Sequence, residues 1–184
     1  NTEMETTHRV VIDDARGLDY LGANSVELVV TSPPYPMIEM WDELFADRRI
    51  EVGNALDGGD GEAAFERMHA VLDDVWAAVD RVLVDGGIAC INVGDATRSI
   101  GGEFARYPNG ARIERALRDR GLTPLPSIRW RKPTNGPTKF MGSGTLPTNA
   151  YVTHEHEQIL VFRNGGTRSF PPGDRDRYES AFFW

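Results

Sequence analysis

The residues best suited to chemistry stand together at the end of an apolar run. Residues 26–30 are apolar enough to form a buried strand, and Ser32, Pro33, Pro34 and Tyr35 follow directly. Proline lacks an N–H and has a fixed φ, so the two prolines end the strand and turn the chain out of the sheet. The Ser32 hydroxyl, the proline carbonyls and the Tyr35 ring therefore have little freedom to lose on binding. Such an elbow can hold a flat ligand that carries an amino group.

An amino group on an aromatic ring is the ligand that suits this elbow. The lone pair of an amine on an aromatic base is delocalised into the ring, and two acceptors with a stacking ring can draw the nitrogen toward tetrahedral geometry. Cys90, the single cysteine, lies inside a predicted strand and is a poor nucleophile. A covalent intermediate formed through this cysteine is therefore not expected.

The run Ser32-Pro33-Pro34-Tyr35 resembles the catalytic motif of the S-adenosylmethionine-dependent DNA amino-methyltransferases, which methylate the exocyclic nitrogen of cytosine or adenine. The resemblance implies that Ser32 and Pro33 hold the target amine and that Tyr35 stacks on a base rotated out of the helix. Ser in the first position is more typical of cytosine N4 enzymes, so cytosine N4 is the expected target and adenine N6 the alternative. A plain turn whose prolines stop a strand is the structural alternative.

The preceding segment, His8 to Asp14, has three apolar residues in its middle and predicts a short strand. The resemblance implies that an acidic residue at the end of this strand binds the adenine amino group of the cofactor. Asp14 is the better candidate for this contact, with Asp13 as its neighbour. The alternative is that Asp14 is a turn residue or a helix cap.

The next elements predict a second strand end beside the elbow. Apolar residues recur every three or four positions over 62–83, which predicts an amphipathic helix that ends at Asp85-Gly86-Gly87, and residues 88–93 predict a buried strand. Gly94 and Asp95 follow, and they would lie beside the elbow if the two strands are parallel neighbours. Asp95 is a second candidate for the cofactor pocket, with a loop residue that binds backbone amides as the alternative.

A second helix is predicted over 110–120 and a third strand over 125–132, which ends at Pro133. The resemblance implies that this strand borders the pocket of the target base. Trp130 is the candidate for a second wall, and Arg131 and Lys132 are candidates for phosphate contacts. A core tryptophan between exposed basic residues would give the same alternation.

A last strand is predicted over 156–163. Before it, residues 133–150 predict a long irregular loop near DNA. Its Gly-rich stretch, 140–145, is rejected as the cofactor loop because a proline-rich segment rather than a buried strand precedes it. His154 and His156 could share one face of a strand, but two ligands do not make a metal site, so no metal is expected.

The order of elements predicts an α/β fold: an incomplete, Rossmann-like, doubly wound methyltransferase core whose sheet is mostly parallel with one antiparallel strand. In the family order that begins with this motif, the glycine-rich cofactor segment lies far toward the carboxyl terminus. Residues 1–184 are therefore interpreted as the catalytic portion of a longer enzyme, with 167–184 leading to a further C-terminal segment or a second subunit. S-adenosylmethionine and double-stranded DNA are the expected cofactor and substrate.

Composition agrees with a single soluble cytoplasmic domain, since 40% of the residues are hydrophobic and no stretch approaches the length of a membrane span. The net charge of −8 argues against DNA binding by bulk attraction, but basic residues concentrate over 112–139 and could form a positive face. An RNA or protein-glutamine methyltransferase is a further alternative. A non-catalytic nucleic-acid-binding remnant is another.

Overall fold

The structure is a computed structural model, and it describes residues 6–132 and 155–169. These residues form one mixed four-stranded sheet, a separate hairpin and four α-helices. In chain order, the elements are β1 (Val26–Thr31), a short 3-10 helix (Glu39–Trp41), α1 (Asp42–Arg48), α2 (Ile50–Asp57), α3 (Gly61–Val82), β2 (Leu83–Val93), β3 (Ala96–Ile100), β4 (Glu103–Tyr107), α4 (Asn109–Asp119), β5 (Thr123–Arg131) and β6 (His156–Arg163).

The sheet has the strand order β1-β2-β6-β5. β1 pairs with β2 in parallel, and β6 pairs antiparallel with both β2 and β5. β1, β2 and β5 therefore point the same way and β6 runs against them, which confirms the predicted mixed sheet. The carboxyl ends of β1, β2 and β5 meet the amino end of β6 at one edge of the sheet. This edge is where polar residues that follow the strands can converge.

One face of the sheet carries the hydrophobic core. Side chains alternate between the two faces of a strand, and the core face of β2 and β6 is at most 4% exposed: Ala89, Ile91, Val93, Leu160 and Phe162. All four helices contribute side chains to the same cluster. On the opposite face, Leu28, Val30 and Ile128 are 57%, 72% and 57% exposed. The helices of the described residues thus pack on one face, and the second helical layer of a doubly wound core is not among those residues.

Helix α3 is the longest element over the sheet. Asp60 caps its first turn by accepting a hydrogen bond from the Ala63 backbone nitrogen at 2.9 Å, and apolar residues recur along one side. Met68 and Trp76 on that side are fully buried. The predicted helices over 62–83 and 110–120 are confirmed to within one residue by α3 and α4.

An arginine joins α3 to α4, and its removal is expected to destabilise the fold. Arg112 donates to both carboxylate oxygens of Asp73, at 2.8 and 3.2 Å, and to Glu66 at 2.9 Å, and its side chain is 18% exposed. Charge-assisted, bidentate pairs of this kind are stronger than ordinary surface pairs. We expect Arg112→Ala to lower the free energy of unfolding by about 1–2 kcal/mol in urea titrations. Arg115→Ala is the matched control, because Arg115 is 81% exposed and lies 3.8 Å from Asp119, so its loss should change little.

The prediction of a strand over His8–Asp14 is wrong. Residues 8–14 adopt no regular structure, and Val10 and Ile12 are 90% and 99% exposed. A strand needs a neighbour that pairs with its backbone, and no strand of the described residues pairs with this segment. The apolar run alone was therefore not sufficient evidence for a strand.

Other boundaries differ from the predicted ones. β2 begins at Leu83 rather than at residue 88, and Asp85-Gly86-Gly87 lies inside it as an irregularity in the pairing with β1 instead of ending α3. Helices α1 and α2 and the β3–β4 hairpin were not predicted. The loop over 133–150, the Gly-rich stretch 140–145, His154 and most of the 167–184 tail lie outside the described residues. Within the described ranges, no helix combines the length and the apolar character that crossing a membrane requires.

Candidate active site

The elbow after β1 places Ser32 and Tyr35 at the edge of the sheet. The Ser32 side chain is exposed, Tyr35 is half-buried, and Pro36 and Met37 turn inward and are buried. Met37 has a φ of +67°, a backbone conformation that is unfavourable for a residue with a side chain. Its backbone nitrogen donates to the Met68 sulfur at 3.2 Å. Contacts with the core therefore fix one side of the elbow, and the side that carries Ser32 remains exposed to solvent.

Side chains from four strand ends meet around the hydroxyl of Tyr35. Ser32 Oγ lies 3.2 Å from Tyr35 Oη, Asn92 Nδ2 donates to Oη at 2.9 Å, and Oη lies 3.1 Å from Glu157 Oε2. Asn92 Nδ2 also donates to that carboxylate oxygen at 2.7 Å. Lys132 Nζ donates to the other oxygen, Oε1, at 2.5 Å. We refer to Ser32, Tyr35, Asn92, Lys132 and Glu157 as the Tyr35 cluster.

Two pKa shifts set the charges in this cluster. Burial raises the pKa of the Tyr35 hydroxyl above its ordinary value, and the nearby Glu157 carboxylate adds to this shift. Burial alone would raise the pKa of Glu157, but the hydrogen bonds from Lys132, Asn92 and Tyr35 lower it below its ordinary value. At neutral pH, Tyr35 is therefore a neutral hydroxyl and Glu157 is an ionised carboxylate.

These charge states decide the direction of each hydrogen bond. A carboxylate can only accept, so Tyr35 gives its single proton to Glu157. Both other contacts to Tyr35 Oη must then be donated to it, by Asn92 and by Ser32. The proton of Ser32 is thus directed at Tyr35, which leaves the lone pairs of Ser32 Oγ for a ligand. The cluster therefore orients Ser32 so that it can accept a hydrogen bond from a ligand.

Gly94 allows the close approach that this packing needs. A Cβ atom at Gly94 would lie 3.4 Å from Tyr35 Cε2 and 3.3 Å from Glu157 Cγ, closer than side chains usually pack. Gly94 follows β2, so the structure confirms the expectation that this strand end lies beside the elbow. The Tyr35 ring therefore packs against the backbone of Gly94.

The predicted substrate contacts lie at the end of β5. Lys132 Nζ is 4.5 Å from the centre of the Trp130 ring, within the range of a cation–π contact, and Trp130 is 48% exposed. Lys132 also binds Glu157 and so joins Trp130 to the Tyr35 cluster. Arg131 is 82% exposed and lies 4.0 Å from Glu155. Trp130 is therefore a surface residue near the elbow rather than a core residue.

The two predicted cofactor carboxylates are in different environments. The side chain of Asp14 is 35% exposed and pairs with Arg16 at 2.8 Å and Arg48 at 3.3 Å. Hydrogen bonds from Arg16 lower the pKa of Asp14 to about 2. Asp14 lines a depression together with Arg16, Asp74 and Arg81. Within the described residues, the hydrogen bonds and ion pairs of Asp14 do not reach the elbow.

Asp95 has little surface to offer a ligand. Its side chain is 5% exposed, Arg106 donates to Oδ2 at 2.5 Å, and the backbone nitrogen of Gly110 donates to Oδ1 at 3.1 Å. Both carboxylate oxygens are thus engaged in fixing the start of α4 and the β3–β4 hairpin.

Sequence reasoning missed Asn92 and Glu157 as site residues. Asn92 is a polar residue within an otherwise apolar strand, and Glu157 precedes the apolar run of β6. Both positions point to the same sheet edge once the strand order is known, and polarity at a strand end was the signal that could have found them. Over residues 6–132 and 155–169, no group of three or more His, Cys, Asp or Glu side chains could hold a metal ion.

Comparisons with known proteins identify the family of this chain. A family model described as DNA methylase, of the N6/N4 type, matches residues 26–179. Type II methyltransferase M.MthZI of Methanothermobacter thermautotrophicus is 50% identical over 98% of this chain and 52% of its own length. M.MjaI of Methanocaldococcus jannaschii is 48% identical over 98% of this chain and 63% of its own length.

A solved structure shows the same fold. TTHA0409 of Thermus thermophilus, described as a putative DNA modification methylase, is 28% identical with a TM-score of 0.65, and the match covers 93% of this chain and 60% of that one. The same protein in complex with S-adenosyl-L-methionine matches with a TM-score of 0.61, 28% identity and coverage of 94% and 65%. This chain thus spans about half to two thirds of the length of these relatives. By its family match, it belongs to the N6/N4 DNA methylases.

Proposed function

We propose that this chain holds the target base in a DNA methyltransferase that transfers a methyl group from S-adenosylmethionine to an exocyclic amine. Cytosine N4 is the proposed target, and adenine N6 is the alternative. The observation that carries the proposal is the exposed elbow itself, where Ser32 Oγ lies 3.2 Å from Tyr35 Oη and can direct its proton there, so that its lone pairs are available to a ligand. Family membership supports the reaction class.

The elbow suits an amine as substrate because it offers acceptors and one ring. Ser32 Oγ and the Pro33 carbonyl would accept the two N–H bonds of the amine, which returns electron density to its nitrogen. Tyr35 would stack on the base, and Pro34 limits the freedom of the backbone between them. The hydrogen bonds from Asn92 and to Glu157 hold the Tyr35 ring in place before a base arrives. When bound, S-adenosylmethionine supplies an electrophilic methyl group for the nitrogen.

For the cofactor, we propose Asp14 as a direct contact and Asp95 as a supporting residue. Asp14 stays ionised over the whole neutral range, is partly exposed and faces a depression, so it suits an amino group as a hydrogen-bond acceptor. Asp95 would have to break its pair with Arg106 or its bond to Gly110 before it could bind a ligand.

For DNA, we propose that Arg131 binds phosphate and that Trp130 and Lys132 border the base. Arg131 is 82% exposed and its only recorded ion pair in the described residues, at 4.0 Å, is weak enough to exchange for phosphate. Lys132 neutralises the Glu157 carboxylate, which would otherwise repel the DNA backbone beside the elbow. A local arrangement of this kind allows DNA binding despite the net charge of −8.

Analysis of methylated nucleosides would test the target. We expect the full-length gene product that contains this chain, incubated with DNA and S-adenosylmethionine, to yield N4-methylcytosine after digestion to nucleosides and mass spectrometry. N6-methyladenine instead would overturn the cytosine assignment and keep the reaction.

A Ser32→Ala variant tests the role of the elbow in the same assay. It removes one acceptor of the amine, so the rate should fall about tenfold, from roughly 1–2 kcal/mol for one hydrogen bond. Thr31→Ser is the matched control, because it changes a neighbouring hydroxyl residue that lies inside β1. Cofactor binding without any methylated nucleoside would refute DNA as the substrate, and an unchanged rate in Ser32→Ala would refute the acceptor role.

A further inference from the structure

We propose that Asn109 is a positioning residue, which sets the spacing of the two active-site loops through a buried bridge with His69. The inference rests on the proposed function, because the loops concerned are those that carry the Tyr35 cluster. It assigns a role to two residues that lie outside the cluster and do not touch the base.

The Asn109 side chain joins the two loops directly. Asn109 is the first residue of α4 and is fully buried. Its Nδ2 atom donates to the carbonyl of Pro36 at 3.0 Å and to the carbonyl of Gly94 at 3.0 Å. Pro36 follows Tyr35 in the elbow, and Gly94 is the residue on which the Tyr35 ring rests. One amide group therefore ties the end of β1 to the end of β2 behind the ring.

The two carbonyls determine how the amide is oriented. A carbonyl can only accept, so the NH2 group of Asn109 must face them and its oxygen must face the other way. That oxygen lies 2.9 Å from His69 Nε2. His69 must then donate, so its proton is on Nε2. Among the described residues, His69 Nδ1 is buried without a partner, as suits an unprotonated nitrogen better than a proton donor.

The bridge has a fixed point on each side. On α4, Asp95 accepts a hydrogen bond from the Gly110 backbone nitrogen at 3.1 Å and so fixes the residue next to Asn109. On α3, the His69 ring makes an edge contact with Phe65, with centroids 4.5 Å apart, and is fully buried. These contacts fix the position of the Asn109 side chain relative to α3 and α4. The side chain thus holds the two loops against these helices.

The elbow needs the hydrogen bond from Asn109 because the backbone conformation of Met37 is unfavourable by itself. Met37, directly after Pro36, has a φ of +67° and stays there only if its surroundings hold it. Without the bond to the Pro36 carbonyl, the elbow can relax and move the Tyr35 ring relative to Gly94. Small misplacements of a reacting group lower rates steeply.

Kinetics of paired variants would test the role. We expect Asn109→Ala, in the full-length gene product, to lower the rate constant of methyl transfer about tenfold at saturating DNA and S-adenosylmethionine. Affinity for DNA, measured by fluorescence anisotropy, should stay within about threefold. Leu117→Ala is the matched control: Leu117 is also a fully buried residue of α4, but its aliphatic side chain cannot donate a hydrogen bond to either loop carbonyl. It should lower the melting temperature and leave the rate constant unchanged below that temperature.

A second pair keeps the test decisive if Asn109→Ala does not fold. His69→Leu removes the donor that orients the Asn109 amide, and His69→Gln supplies an amide donor at nearly the same reach. We expect a slower rate in His69→Leu and recovery in His69→Gln. Equal rates in these two variants, or equal slowing in Asn109→Ala and Leu117→Ala, would refute the positioning role.

A spectroscopic readout separates this inference from the proposed function. With 3-fluorotyrosine incorporated, the fluorine resonance of Tyr35, identified by its absence in Tyr35→Phe, should shift or broaden in Asn109→Ala and not in Leu117→Ala. If the unmodified protein transfers no methyl group, the proposed function fails, and this resonance alone still decides whether Asn109 positions the elbow.

Discussion

Replacing Tyr35 with alanine is expected to lower methyl transfer about hundredfold while the fold is retained. Stacking of one base on an aromatic side chain contributes roughly 1–3 kcal/mol, and the upper part of that range corresponds to a factor of about a hundred. Alanine also removes the oxygen that orients the Ser32 hydroxyl, so the proton of Ser32 is no longer directed away from the ligand. Single-turnover transfer by the full-length gene product, with labelled S-adenosylmethionine, measures the rate.

Tyr35→Phe separates the two contributions. Phenylalanine keeps the ring on Gly94 and removes the hydrogen bonds to Ser32, Asn92 and Glu157, so a loss of no more than about tenfold is expected. Circular dichroism and the melting temperature check the fold of both variants. Because Tyr35 is half-buried at the sheet edge rather than in the core, neither variant should unfold the protein. Near-normal transfer by a folded Tyr35→Ala variant would contradict the stacking role.

Acidification from pH 7 to pH 4 is expected to weaken the fold by about 3 kcal/mol through His69 alone. Burial lowers the pKa of His69 from 6.5 to about 4, despite the hydrogen bond to Asn109. Between these two values the unfolded chain binds more protons than the folded one, so stability rises with pH in this window. The contribution of neutral His69 to the free energy of unfolding is fully present above the unfolded-state pKa of 6.5 and is lost as the pH falls toward 4.

Urea titrations at several pH values would measure this effect. The difference in unfolding free energy between the unmodified protein and His69→Gln should be constant above about pH 7 and shrink as the pH falls to 4. Carboxylates such as Asp14, whose stabilising contribution is lost at lower pH, are present in both proteins and cancel in the difference. Curves that stay parallel from pH 7 to pH 4 would show that His69 does not carry this linkage.

The helices α3 and α4 were the elements predicted most accurately from the sequence. The three- and four-residue recurrence over 62–83 and the stretch from Gly110 to Arg120 predict α3 and α4 closely, because one side of each helix must be apolar to pack on the sheet. The strands after them, β5 and β6, were also predicted: β6 contains an apolar run that ends at Asn164-Gly165-Gly166, and β5 lies between Gly121 and Pro133.

Strand pairing was predicted less accurately than the helices. The run over 10–12 is as apolar as a strand, yet it pairs with nothing in the described residues and its side chains are exposed. Pairing is a long-range property that a local pattern does not encode. The β3–β4 hairpin was missed for a different reason: its pairing across the Gly101-Gly102 turn is local, but its two strands show only a weak alternation of apolar and polar residues.

The sequence by itself determined that a proline-stiffened elbow with Ser32 and Tyr35 follows a strand, because proline geometry and apolar runs act locally, although the expected burial of that strand was wrong for the described residues. Only the tertiary structure decided what surrounds that elbow. Asn92 and Glu157 are 65 residues apart and meet at Tyr35 only because β6 inserts between β2 and β5. The acceptor state of Ser32 and the bridge from His69 through Asn109 depend on hydrogen-bond directions, and those exist only once distant donors and acceptors are brought together.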